Sequence, residues 1–180
     1  MAILIIHQSN LTDEQKNIIG TSCSADPYQH ANHWRVDVAE TPSSEQLNHL
    51  RSLFAWDINL IPQELDTNAV RLVLSDMDST LINIECIDEI ADHLGIKAQI
   101  AAITEAAMRG ELDFAQSLTA RVEQLTGTPF EALQTVYDER LSLNPGAEQL
   151  IQGLRSRDIR FALVSGGFTF FTDRLKERLG

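Results

Sequence analysis

The chain is predicted to be α/β: a doubly wound, Rossmann-like core with a helical cap, preceded by a small α+β domain. Three observations predict this. Two short, bounded apolar runs, 70–74 and 159–164, read as parallel strands buried on both faces. Between them, from Asn83 to Tyr137, the chain reads as almost continuous helix, punctuated by glycine and proline. Ahead of them, residues 1–62 alternate strand-like and helix-like segments in a compact β-α-β-α-(β) order.

The elements follow in order. Residues 1–8 form a strand through Ile3, Leu4, Ile5 and Ile6. Thr12-Asp13-Glu14-Gln15 has capping-box spacing and opens a short helix. Residues 21–29 carry Ser, Asp and Pro and read as loop. Residues 33–39 form a second strand with Trp34, Val36 and Val38 on one face. Pro42-Ser43-Ser44-Glu45 opens a helix with Leu47, Leu50 and Phe54 at helical spacing, and 57–61 is a strand ended by Pro62. The polar stretch 63–69 is a linker, so the domains are expected at 1–66 and 67–180. Helices are predicted over 84–94, 96–108, 113–126 and 129–140, and the cap over about 82–142. A helix at 147–157 leads into the strand 159–164. The turn Ser165-Gly166-Gly167 then opens a last helix, 168–179.

Composition excludes several classes. Fourteen Lys and Arg against twenty-six Asp and Glu give a net charge of −12. This argues against a nucleic-acid partner or an anionic membrane surface, both of which select clustered cations. A small anionic ligand stays open, because helix N-termini and a few local cations suffice to hold one. The opening apolar run, residues 2–6, is too short for a signal peptide or a membrane span. Cys23 and Cys86 have no CxxC spacing and are expected to be reduced thiols of a cytoplasmic protein. The five histidines form no zinc-like pair.

The chemistry concentrates at Val73-Leu74-Ser75-Asp76-Met77-Asp78-Ser79-Thr80. Asp76 and Asp78 lie just past the C-terminal end of a predicted inner strand, the edge where open α/β sheets bind ligands. Two neighbouring carboxylates divide labour when one is ionised and the other holds a proton. An ionised aspartate can attack phosphorus, and Mg²⁺ is the expected cofactor, because it lets a carboxylate approach a phosphate dianion. On the helix opened by Asp113, Phe114, Leu118 and Leu125 lie within about 40° of one another, and Arg121 falls about 20° from Phe114. A guanidinium on an apolar stripe is costly unless it meets an anion. A substrate carboxylate would meet that need; snorkelling or a structural glutamate would also account for it. Ser165-Gly166-Gly167, between a strand and a helix, suits close backbone approach to a phosphate, although a simple turn has the same composition. Asp88, Glu89 and Asp92 read as a solvated acidic face near a helix start.

The segment Asp76-Met-Asp-Ser-Thr-Leu resembles the nucleophile motif of the haloacid dehalogenase (HAD) superfamily. The longer run from Asp76 through Glu85-Cys-Ile-Asp-Glu, with Met108, Phe114-Ala-Gln-Ser-Leu, Arg121-Val and Val164-Ser-Gly-Gly-Phe168, resembles the phosphoserine phosphatases within it. The likeness runs from about Val70 to Gly180. It implies a HAD-like core, a nucleophilic Asp76 and an acid/base Asp78, with Mg²⁺ held by Asp76, the Asp78 carbonyl and further carboxylates. It also implies that Glu85 holds a substrate ammonium, Arg121 a carboxylate, Met108 and Phe114 an apolar wall, and Ser165 with Gly166 the phosphoryl oxygens. The implied substrate is O-phospho-L-serine, hydrolysed in the last step of serine biosynthesis.

The same likeness implies a phosphate-binding lysine and a Gly-Asp-Gly-x-Asn-Asp loop, neither of which occurs in residues 1–180. The chain is therefore expected to be the N-terminal part of a longer enzyme, with an incomplete core sheet, low activity and weak Mg²⁺ affinity. Two alternatives stand beside this reading. One is a non-catalytic amino-acid-binding or regulatory protein using residues 1–62, whose strand–helix order is similar to ACT-type modules. The other is a HAD phosphatase for another small phosphomonoester. A homodimer is left open, since oligomeric state is not written in the sequence.

Overall fold

The computed structural model describes residues 1–180, which divide into two compact units, Met1–Ala69 and Val70–Gly180. No helix is long and apolar enough to cross a membrane.

The first unit runs β1 (Ala2–Ile6), α1 (Asp13–Cys23), β2 (Tyr28–His30), β3 (His33–Val38), α2 (Ser44–Leu53) and β4 (Ile58–Ile61). Its sheet order is β2-β3-β1-β4 with every pair antiparallel. This is the split β-α-β-β-α-β arrangement. Alternate residues Ala2, Leu4 and Ile6 of β1 and Val36 and Val38 of β3 are buried against Ile19, Leu47 and Leu50 of the helices. Both helices start at capping boxes, Thr12 with Gln15 and Ser43 with Gln46.

The expected loop over 21–29 is corrected here. Helix α1 continues to Cys23 and stops where Ser24 turns left-handed, and 28–30 form the edge strand β2. All three β2 residues are exposed, so no apolar alternation marks the strand.

The second unit runs β5 (Leu72–Ser75), α3 (Cys86–His93), α4 (Lys97–Met108), α5 (Phe114–Gln124), α6 (Phe130–Glu139), α7 (Ala147–Arg155), β6 (Arg160–Leu163) and α8 (Thr169–Leu179). Strands β5 and β6 pair in parallel, Val73 against Phe161 and Ser75 against Leu163. The expectation that both strands are buried on both faces fails: Leu72 is 50 % and Leu74 63 % exposed. Only the Val73 and Ser75 face of β5 is partly covered, so the apolar run reflects one covered face and one open one. The main core joins Met77, Ile82, Ile84 and Cys86 to Ile90 of α3, Val136 of α6, and Phe171 and Leu175 of α8.

The helical block α3–α6 meets the strand-bearing part at two crossings. These lie side by side in an antiparallel bridge, Ile82 with Leu143, that no sequence pattern announced. Glu89 and Asp92, read as a solvated face, instead hold Arg140 at 2.8 and 2.7 Å and tie the end of α6 to α3. Ion pairs of this half-exposed kind contribute little energy but fix geometry.

Candidate active site

Strand β5 ends at Ser75, and the chain then makes a tight loop around one carbonyl. The Met77 oxygen accepts the N–H groups of Thr80, Leu81 and Ile82 at 3.2, 2.9 and 3.1 Å. Ser79 takes a left-handed φ of 52° at the apex of this loop, and its N–H donates to the Ile84 carbonyl at 3.0 Å. Met77 is fully buried and anchors the loop, while Asp76 and Asp78 flank it with one exposed and one half-buried carboxyl.

The two acids have different surroundings. Asp76 Oδ1 accepts the Met77 N–H at 2.7 Å. Asp78 Oδ1 is buried without a hydrogen-bond partner. Burial pushes the Asp78 carboxyl above the ordinary carboxylate value, with the charges of Glu85 and Asp76 acting in the same direction, against the opposing pull of the Cys86 thiol and N–H. The facing Cys86 thiol is pushed up by its own burial and by Asp78.

Opposite this loop lies Ser165-Gly166-Gly167, between β6 and α8. The Gly167 N–H donates to Ser165 Oγ at 2.9 Å. A methyl built on Gly167 would lie 3.0 Å from Met77 Cε, 3.1 Å from Ser165 Oγ and 3.6 Å from Asp78 Oδ2, so this glycine is what lets the two loops meet. A methyl on Gly166 would meet only Phe114 Cζ, at 3.7 Å.

Helix α5 supplies the other wall. Asp113 caps it in a box with Gln116, and Phe114, Leu118, Arg121 and Val122 line one cleft of about 310 Å³ together with Asp76, Asp78, Glu85, Cys86, Ile87 and residues 165–168. Of the stripe read as apolar, Phe114, Leu118 and Arg121 face the cleft while Leu125 packs against the core; Phe114 is 72 % exposed, and the buried residue of α5 is Ser117. Arg121 is half-buried and donates only to the Ser117 carbonyl, at 3.4 Å, with no carboxylate in ion-pair range. Glu85 sits at the N-cap of α3 but makes no side-chain cap bond, which leaves its carboxylate unengaged beside the cleft.

Seven of the eight residues picked from the sequence therefore share one cleft: Asp76, Asp78, Glu85, Phe114, Arg121, Ser165 and Gly166. Met108 does not join them. It ends α4 just before Gly110 turns left-handed and is 84 % exposed, so its expected place in the apolar wall is corrected. Leu118, Val122, Ile87 and Phe168 make that wall with Phe114. The helical period pointed to Leu118, whereas Ile87 read as ordinary core and Phe168, though within the segment that carries the resemblance, was given no place in the wall.

The oxygen donors suit a hard cation. The Asp76 carboxylate is exposed, and the Asp78 carbonyl accepts no hydrogen bond within the chain. No three of the His, Cys, Asp or Glu side chains are arranged so that they could hold a metal ion by themselves. Mg²⁺ commonly binds through one or two carboxylates, with water and substrate phosphate completing its octahedron, so the set fits.

Comparison with known proteins agrees with this geometry. The haloacid dehalogenase-like hydrolase family model matches residues 70–180. A phosphoserine phosphatase of Polaromonas sp. is 52 % identical over 124 residues, covering 68 % of this chain and 52 % of that protein. A HAD family hydrolase of Salmonella enterica serovar Typhi superposes with a TM-score of 0.84 at 35 % identity, over 99 % of this chain and 65 % of that one. A phospho-aspartyl intermediate analogue of phosphoserine phosphatase aligns with a TM-score of 0.55 at 42 % identity, over 62 % of this chain and 53 % of that one. The chain spans about half the length of the curated relatives it matches. With a family model matched across residues 70–180, and with the αβ core and carboxylate loop described above, the chain belongs to the haloacid dehalogenase-like hydrolase family.

Proposed function

We propose that this chain carries the nucleophile, the acid/base group and the substrate-recognition cleft of a Mg²⁺-dependent phosphoserine phosphatase. The observation that carries this reading is one cleft shared by an asymmetric carboxylate pair, an unpaired arginine, a free glutamate and a glycine turn. The names of the relatives support the same substrate.

In the first step an Asp76 oxygen attacks phosphorus and forms an acyl phosphate. The bond from phosphorus to the serine oxygen breaks, and Asp78 gives its proton to that oxygen. Its half-buried carboxyl, with Oδ1 buried and partnerless, favours the protonated form that this role needs. In the second step a water attacks the acyl phosphate, Asp78 takes the proton, and phosphate departs with Asp76 restored. Ser165 Oγ and the Gly166 N–H hold the phosphoryl oxygens. Arg121 grips the substrate carboxylate as a bidentate pair, and Glu85 the ammonium. Mg²⁺ would be held by the Asp76 carboxylate and the Asp78 carbonyl, and would supply neutralisation of phosphate charge.

The test is acid-quench trapping with O-phospho-L-serine labelled on phosphorus. Label is expected on Asp76 and is expected to vanish in Asp76→Asn. Label on another side chain, or retained in the variant, refutes the assignment.

A further inference from the structure

The two crossings that join the helical block to the carboxylate loop are held by more than their backbone. The Asn83 N–H donates to the Ser142 carbonyl at 2.9 Å, and the Asn144 N–H to the Leu81 carbonyl at 3.0 Å. A backbone pair of this kind alone makes a two-bond hinge. Asparagine side chains add three bonds on the same spot. Asn83 Oδ1 accepts the Ser142 N–H at 2.7 Å, and Asn144 Nδ2 donates to the Thr80 carbonyl at 2.8 Å and the Ile82 carbonyl at 3.1 Å.

The placement of these bonds matters. Thr80 and Ile82 belong to the loop wound around the Met77 carbonyl, which also carries Asp76 and Asp78. The crossings lead on one side to Glu85 and α3, and the returning one comes back from α6. Asn144 thus bonds the returning crossing to the very loop that presents the carboxylates. A free hinge would let α5, with Arg121 and Phe114, drift relative to Asp76; a clamped one fixes that separation.

We propose that Asn144, supported by Asn83, is a positioning residue that clamps the two crossings and sets the attitude of the helical block over the carboxylate loop. Asn144 does not line the cleft; it acts through the loop and the block. The effect on substrate selection rests on the function proposed above, whereas the clamp itself does not.

The experiment is arranged so that the two can fail separately. Spin labels at Glu123→Cys on α5 and Gln149→Cys on α7, in a Cys23→Ser background, report the separation of the helical block from the strand-bearing part. Amide exchange is followed at Asn83, Ser142 and Asn144. Asn144→Ala is expected to broaden the distance distribution and to cut protection at Asn83 and Asn144 at least about tenfold, the scale of one lost hydrogen bond. Asn144→Asp places a carboxylate against two carbonyls and should broaden it further. If Asn144→Ala does not fold, Asn83→Ala removes only the Ser142 bond and should give the same effects at smaller size.

In parallel, affinity for O-phospho-L-serine should fall about tenfold in Asn144→Ala, while affinity for inorganic phosphate holds. If the unsubstituted chain binds neither ligand, the proposed function fails while the distance and exchange data still decide the clamp. An unchanged distance distribution overturns the clamp, whether protection is unchanged or lost uniformly across α3–α8, because the latter marks a merely structural residue.

Discussion

Gly166 and Gly167 are adjacent, neither has a left-handed φ, and they differ in what surrounds them. Gly167→Ala puts a methyl 3.0 Å from Met77 Cε and 3.1 Å from Ser165 Oγ, where about 3.4–4 Å is ordinary contact. Neither neighbour yields freely. Met77 is 0 % exposed, enclosed by Ile82, Ile84 and Phe171, and Ser165 Oγ is held by the Gly167 N–H itself. Overpacking of this order costs about 1–3 kcal/mol. For the Val70–Gly180 unit, that lowers the melting temperature by about 4–15 °C. Gly166→Ala meets only Phe114 Cζ at 3.7 Å and should leave stability unchanged or raise it by up to about 1 kcal/mol. Both substitutions remove the same chain entropy from the unfolded state, so that contribution cancels in their difference and the steric cost remains. Thermal unfolding followed by circular dichroism reads it directly. If both variants melt together, the reasoning about loop contact is refuted.

Two further outcomes follow from the site. Arg121→Ala removes the unpaired guanidinium and should weaken O-phospho-L-serine binding by about 10–100-fold, the worth of a charged hydrogen bond, while sparing a phosphomonoester that lacks a carboxylate; calorimetric titration of both ligands checks this, and equal losses would refute the role. Asp78 is raised above its ordinary value of 3.8 by burial, so it binds its proton more tightly folded than unfolded. Its stabilising contribution is full below pH 3.8 and is lost as pH rises through the folded value. Asp78→Asn, neutral at every pH, should therefore gain stability relative to the unsubstituted chain as pH rises above 3.8; a difference in melting temperature that stays flat with pH would refute the account of Asp78.

Much of the site was legible because its residues break local rules. Asp76 and Asp78 end an apolar strand, Arg121 interrupts an apolar stripe, and a Ser-Gly-Gly turn sits between strand and helix, so each had to be explained by something outside its own element. Met108 broke no rule and was read from resemblance alone; its position at the end of α4 depends on how that helix stops, which composition does not determine. Strand β2 was missed because an edge strand with both faces wet has no apolar period to read. The incomplete sheet was expected, but which face of β5 lies open was not legible, for the opposite reason. An apolar run looks the same whether one face or two are covered, and only tertiary contact distinguishes them. Asn83 and Asn144 gave no signal, since an asparagine near Pro145 reads as an ordinary turn residue.

The neighbouring crossings at Ile82 and Leu143 have a consequence for how such molecules diversify. Because the chain departs and comes home at nearly one point, everything between those points is topologically an excursion. Its length and lining can be rewritten without re-threading the loop that bears Asp76 and Asp78. Under the function proposed above, substrate choice and bond-breaking chemistry would lie on separable stretches of chain, with the two asparagines marking the seam.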